Sequence, residues 1–196
     1  MSIRTATVER KTAETSIKLI LNLDGHGHGV IDSGIGFFDH MLNLMTSHGL
    51  MDLTLACDGD IDVDGHHSVE DIGIALGDAF CKAIGDKKGI RRYGTFYLPM
   101  DEALAFVSLD ISGRPYLVYE AGEMAPMIGG FDTELTEEFL RAFAVHAGIT
   151  LHVRVLYGKN SHHKVEAIFK ALGHALRIAV EDDPRVEGIP STKGSL

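Results

Sequence analysis

The sequence predicts an α+β protein built from one unit used twice. Three observations carry this. His66-His67-Ser68-Val69-Glu70 recurs as His162-His163-Lys164-Val165-Glu166, an offset of 96 residues, and the match continues through Ile72/Ile168, Ala75-Leu76-Gly77/Ala171-Leu172-Gly173 and Ala79/Ala175. Upstream, Ser47-His48-Gly49 resembles Val145-His146-Ala147-Gly148 at an offset of 98, which aligns His40 with Glu138. The two-residue change is expected in a strand–helix loop, where length is cheap to alter. Strand and helix patterns also interleave without a regular βαβ rhythm, which favours sheets covered by helices. Such a long likeness, with paired histidines in it, implies duplication and an approximate two-fold relation between the halves.

Each element has its own signal. Residues 15–23 alternate as a strand and end in the turn Asp24-Gly25. Phe38 to His48 reads as a helix closed by Gly49, and Leu53 to Cys57 as a strand. Val69, Ile72, Leu76, Ala79 and Phe80 share one helical face, so 69–84 is a helix stopped by Gly85. Strands follow at 94–98, 103–110 and 115–120, then helix 134–146, strand 149–157 and helix 164–180. The half-repeats are expected at 1–92 and 93–196, joined in one compact domain, which 196 residues suit.

Composition narrows the function. A formal net charge of −10 argues against nucleic-acid binding, which needs a basic surface to displace counterions. No apolar run approaches the roughly 20 residues of a membrane span. The N-terminal residues lack the apolar stretch of a secretory signal. Cys57 and Cys81 suggest no disulfide framework, so a cytoplasmic location is expected, with both thiols as small core hydrophobes.

The duplicated His-His-x-x-Glu clusters point to metal. His66 and Glu70 are i and i+4, on one face of a helix, while His67 lies roughly 100° around it. The paired histidines of one helix head are badly placed for one ion and well placed for two. The repeat then suggests that each ion takes His and Glu from one half, the odd histidine from the other, and one upstream residue. One set is His40, His66, Glu70 and His163, and the other is Glu138, His162, Glu166 and His67. Four N/O donors without sulfur suit manganese, iron or zinc, and positions left open on a six-coordinate ion favour manganese. His26 and His28 stand in a glycine-rich turn, His48 and His146 end helices where a cation suits the dipole, and His152 and His174 read as structural.

Several stretches together are similar to the signatures of imidazoleglycerol-phosphate dehydratases. They are Arg10 to Thr15, Gly36-Phe37-Phe38-Asp39-His40-Met41-Leu42, Asp64 to Asp71, Asp110-Ile111-Ser112-Gly113-Arg114-Pro115, Gly158 to Glu166 and Pro190-Ser191-Thr192-Lys193-Gly194. The resemblance covers essentially the whole sequence. It implies a duplicated unit like the second domain of ribosomal protein S5, two manganese ions (Mn2+) per active site, and a 24-mer with metal sites completed between neighbours. It implies dehydration of D-erythro-imidazole glycerol phosphate to imidazole acetol phosphate in histidine biosynthesis, through an imidazolate stabilised by the two ions. It gives Glu14 the role of base, with Glu70 and Glu166 also at the reacting centre. It assigns the phosphate to Arg92, Arg114, Ser191 and Lys193, with further substrate contacts from Glu14, His40, His48, Lys170 and Thr192. Many members carry histidine where this sequence has Glu138, and glutamine where Leu44 stands. Another two-metal enzyme acting on a phosphorylated small molecule is the alternative; the want of an Asp-rich cluster weighs against a phosphoesterase.

Overall fold

The computed structural model describes residues 4–196. In the first half, strands β1 (Thr5–Lys11), β2 (Thr15–Asn22), β3 (Gly29–Asp32) and β4 (Asp52–Gly59) accompany helices α1 (Gly36–Gly49) and α2 (His66–Ile84). In the second, β5 (Tyr93–Met100), β6 (Ala103–Asp110), β7 (Tyr116–Glu120) and β10 (Thr150–Tyr157) accompany α3 (Leu135–Ala147) and α4 (Ser161–Val180). A two-stranded ribbon, β8 (Met127–Ile128) and β9 (Phe131–Asp132), is inserted before α3.

The two sheets repeat one topology. Their strand orders are β1-β2-β4-β3 and β5-β6-β10-β7. In each, the first three strands pair antiparallel and the last joins in parallel, as Gly29↔Leu53 and Thr150↔Tyr116 show. β4 and β10 match at the offset of 98, and α2 and α4 at 96. The two-residue change therefore falls in the loops 60–65 and 158–160. β1, β3 and the short ribbon have no counterpart in the sequence reading. β1 alternates cleanly in burial, but Glu9, Arg10 and Lys11 end it in charge.

The alternating faces of β2 bury Ile17, Leu19 and Leu21 against α2, and α4 lies across β5 and β6. Between these layers the helices pair across the halves: α1 packs on α4, and α2 on α3. Phe38, Phe139 and Phe169, from three different helices, are fully buried and meet at ring distances of 5.2 and 5.4 Å. Each such ring contributes about 1.5–3 kcal/mol of burial.

Glycines set the helix separations. A Cβ on Gly173 would lie 2.4 Å from the Met45 carbonyl oxygen of α1, and one on its repeat partner Gly77 would lie 2.6 Å from His146 Cβ of α3. Gly49 is part of the same crossing, 3.3 Å from the Gly173 oxygen by its ideal Cβ. It therefore stays inside the last turn of α1, and Leu50 takes the left-handed conformation, φ 50°, that closes the helix. The expected glycine stop is displaced by one residue because close packing needed the glycine more.

Candidate metal centre

The two histidine-rich helix heads are capped from upstream. Asp64 accepts from the His66 amide at 2.8 Å, and Asn160 accepts from the His162 and His163 amides at 2.9 and 3.4 Å. These contacts satisfy amides that a helix start leaves without partners.

Among the described residues, one group of three or more metal-type side chains converges, with all ligand atoms within 4.8 Å of one another: His40, His162 and Glu166. Glu166 Oε2 lies 3.0 Å from His162 Nε2 and 3.7 Å from His40 Nε2. Donors 2.0–2.2 Å from one ion stand about 3–4 Å apart, so this set fits a divalent metal. This grouping differs from the one drawn from the sequence, which placed His40 with His66, Glu70 and His163, and Glu138 with His162, Glu166 and His67. The reason is the exchange of helix partners. α1 lies on α4 rather than on α2, so His40 faces the other half's cluster. Glu138 of α3 correspondingly lines an open cleft of about 710 Å³ together with His66. Phe37 touches both regions, edge-on to His162 at 5.1 Å and forming part of the cleft wall.

Glu166 is buried and ionised. Burial pushes its carboxyl up, but Lys170, with Nζ 2.6 Å from Oε1, and His162 more than offset this and hold it below the ordinary range. The odd histidines point elsewhere. His67 Nδ1 lies 2.9 Å from Asp60 and its Nε2 lies 3.7 Å from Glu14. His163 Nδ1 lies 2.7 Å from Glu102 and its Nε2 lies 3.7 Å from Asp101. Glu14 is exposed in the β1–β2 turn, and Thr15 beside it is tied to Asp71, which also pairs with Arg10. His48 Nδ1 is 3.2 Å from His174 Nε2, and His174 stacks on Phe96 at 4.1 Å. Burial pushes both rings down, so they favour the neutral form.

The expected phosphate residues form a second cluster. Asp110 accepts from Arg92 Nε at 2.6 Å and Nη2 at 3.0 Å, and lies 3.6 Å from Arg114 Nη2. Arg92 is buried, and its Nη1 donates to the Pro190 carbonyl at 2.8 Å. That bond anchors the tail bearing Ser191, Thr192 and Lys193, whose last residue approaches the Gly113 turn. Most of the Arg92 fork is thus committed within the protein, while Arg114 and Lys193 are exposed cations. Lys170 has no cationic counterpart at the repeat-related position, where Ile74 stands, and Asp78 replaces His174. Leu44 is half-buried against the hydrophobic core.

Sequence reasoning missed Asp60, Glu102 and Asp110. Glu102 had a signal: it precedes β6 as Glu14 precedes β2. Asp110 lies in a stretch whose likeness was noted for Arg114. Asp60 had none.

Fold and site together define a duplicated α+β protein with a histidine–carboxylate cluster able to hold a divalent metal. The family model for imidazoleglycerol-phosphate dehydratase matches residues 33–176. A Clostridium botulinum imidazoleglycerol-phosphate dehydratase is 63% identical over 191 residues, 97% of each protein. One from Caldanaerobacter subterraneus is 61% identical over 194 residues, covering 99% of this chain and all of the relative. The crystal structure of the Staphylococcus aureus enzyme superposes with a TM-score of 0.83 at 42% identity, over 91% of this chain and 99% of that one. That from Pyrococcus furiosus gives 0.83 at 36% identity, over 96% and 100%. The chain belongs to the imidazoleglycerol-phosphate dehydratase family, the hydro-lyases of histidine biosynthesis. No helix among the described residues is long and apolar enough to cross a membrane.

Proposed function

We propose that the protein dehydrates D-erythro-imidazole glycerol phosphate to imidazole acetol phosphate at a site holding two Mn2+ ions. The observation that carries the metal reading is the convergence of His40 with His162 and Glu166 from opposite halves. His66, Glu70 and Glu138, with the odd histidines His67 and His163, are the remaining ligands. When bound, the ions supply Lewis-acid polarisation of the imidazole ring.

The protein's own groups then have defined tasks. Lys170 and His162 keep Glu166 anionic, so the carboxylate is ready to bind. Glu14, exposed and among the described residues paired with no cation other than His67, takes the carbon-bound proton of the substrate; the hydroxyl leaves as water with the proton that the imidazole nitrogen gives up, and the proton held on Glu14 returns to the ring. The enol so formed tautomerises to the ketone. His48, whose ring burial pushes toward the neutral form, and Lys170 offer donors to the substrate. Arg114, with Arg92 behind it, and Ser191, Thr192 and Lys193 bind the phosphate, Arg offering paired donors.

Distance bears on assembly. Arg92 precedes β5, while Met100 at its far end lies beside Lys170, and Glu102 just beyond holds His163. Seven strand steps separate the ends, roughly 23 Å at ~3.3 Å per residue. One small substrate cannot span that gap, which supports a large homo-oligomer in which another copy brings the phosphate cluster to the metal ligands. We infer a 24-mer working in the cytoplasm, with half-repeats 1–92 and 93–196 as its duplicated unit.

The test is turnover of the substrate by metal-stripped protein before and after adding Mn2+. Ketone formation restored by manganese, without free phosphate, is expected. Release of phosphate would move the reading to a phosphoesterase, and metal uptake without ketone would sink the dehydration.

A further inference from the structure

We propose that Asp60 and Glu102 are positioning residues that lock His67 and His163 as Nε2 metal ligands. The inference rests on the metal-centre reading above. An ionised carboxylate only accepts hydrogen bonds, so the ring nitrogen facing it must carry the proton. His67 Nδ1 lies 2.9 and 3.2 Å from the two oxygens of Asp60, and His163 Nδ1 lies 2.7 Å from Glu102 Oε2. In the neutral ring the lone pair is then on Nε2, the atom that turns outward toward Glu14 in one case and Asp101 in the other, 3.7 Å away in both. A ligand whose second nitrogen donates to a carboxylate is fixed in tautomer and orientation and is a stronger base.

The two halves reach this arrangement by different routes. Asp60 follows β4 in the loop before α2, whereas Glu102 sits in the β5–β6 turn of the second half. The loop after β10 is shorter, 158–160, and offers no carboxylate there. The same hydrogen bond thus arises twice from positions the duplication does not relate. Inheritance of a common loop does not account for that; a shared demand on the histidines does. Glu102 has a second task, since Oε1 accepts from the backbone amides of Lys159 and Asn160 at 3.0 and 2.7 Å and so ties the β5–β6 turn to the head of α4. Among the described residues the Asp60 carboxylate accepts from His67 alone, which makes Asp60 the cleaner position to alter.

Two readouts test the proposal in the whole protein. In metal-free, 15N-histidine-labelled protein, solid-state 15N NMR at a pH that leaves the rings neutral should show His67 and His163 with protonated Nδ1 and bare Nε2. The signals are assigned by their loss in His67→Asn and His163→Asn. Protonated Nε2 in either wild-type ring would overturn the assignment for that histidine. Titration with Mn2+ should show binding weakened about 10- to 100-fold in Asp60→Ala and Glu102→Ala, and recovered in part in Asp60→Glu and Glu102→Asp. Affinity unchanged in both alanine variants would overturn this inference alone. A wild-type protein that takes up no manganese would overturn the metal reading, and the positioning role with it.

Discussion

At the scale of single residues, the protein uses carboxylates in three distinct ways. Glu166 is a buried anion kept charged by an ammonium 2.6 Å away. Glu14 is exposed beside His67, and if it is the proposed base, Glu14→Gln should lower turnover by about 10²- to 10⁴-fold while leaving manganese binding near the wild-type value. Glu102 is a tether. The Asn160 amide, then His163, then the Lys159 amide hold its carboxyl down from 4.5 to about 2. A carboxylate depressed in the folded state adds stability that is present above its unfolded value and lost as pH falls through its folded value. Metal-free protein should therefore lose the Glu102 tether between pH 4.5 and about 2. The urea midpoint of Glu102→Ala should fall less across that window than the wild type's, and equal slopes would show that the tether adds nothing to acid stability.

At the scale of elements, helix crossings decide where the ligands meet. Gly173 lets α4 approach α1 closely enough for His40 to reach Glu166, because any Cβ there would press on the Met45 carbonyl at 2.4 Å. Gly173→Ala should cost about 1–3 kcal/mol by overpacking, read as a lower urea midpoint, with weaker manganese binding alongside. Gly36→Ala is the control, since a Cβ there meets nothing within 4 Å, and its midpoint should stay at or slightly above the wild type's. The C-terminal segment behaves differently. Its link to the fold includes the Arg92 bond to Pro190, and removal of 191–196 keeps that bond. Truncation after Pro190 should raise KM strongly while leaving the thermal midpoint little changed. A KM equal to the wild type's would remove Ser191, Thr192 and Lys193 from the phosphate site.

At the scale of the whole molecule, the duplication is broken at the helix crossing beside Glu166. Both halves keep the helix-head histidines and the sheet order. Lys170 and His174 exist only in the second, where the first carries Ile74 and Asp78, and Asp78 pairs with His146 at 2.9 Å. The cluster of Arg92, Arg114 and Asp110, proposed above to take the phosphate, lies at the other end of β5 from the histidines of α4. Light scattering should accordingly find active protein as a large homo-oligomer, and full turnover from a monomer would contradict shared sites.

The repeat, the helical faces of α2 and α4, the donor types and the α+β class were all legible in the sequence, because they depend on residue identity and on local periodicity. The identity of each helix's packing partner was not. An apolar stripe says that a helix is buried, not against what, and the exchange of α1 onto α4 and α3 onto α2 changed which ligands stand together. β3 escaped notice because its four residues are mostly exposed. Asp60 and Glu102 escaped because a histidine's orienting partner is chosen in space, one coming from a loop 7 residues away and the other from a turn 61 residues away. Residue chemistry and periodicity are local and were set by the sequence alone. Partnership between distant segments is a matter of packing, and only the tertiary structure decided it.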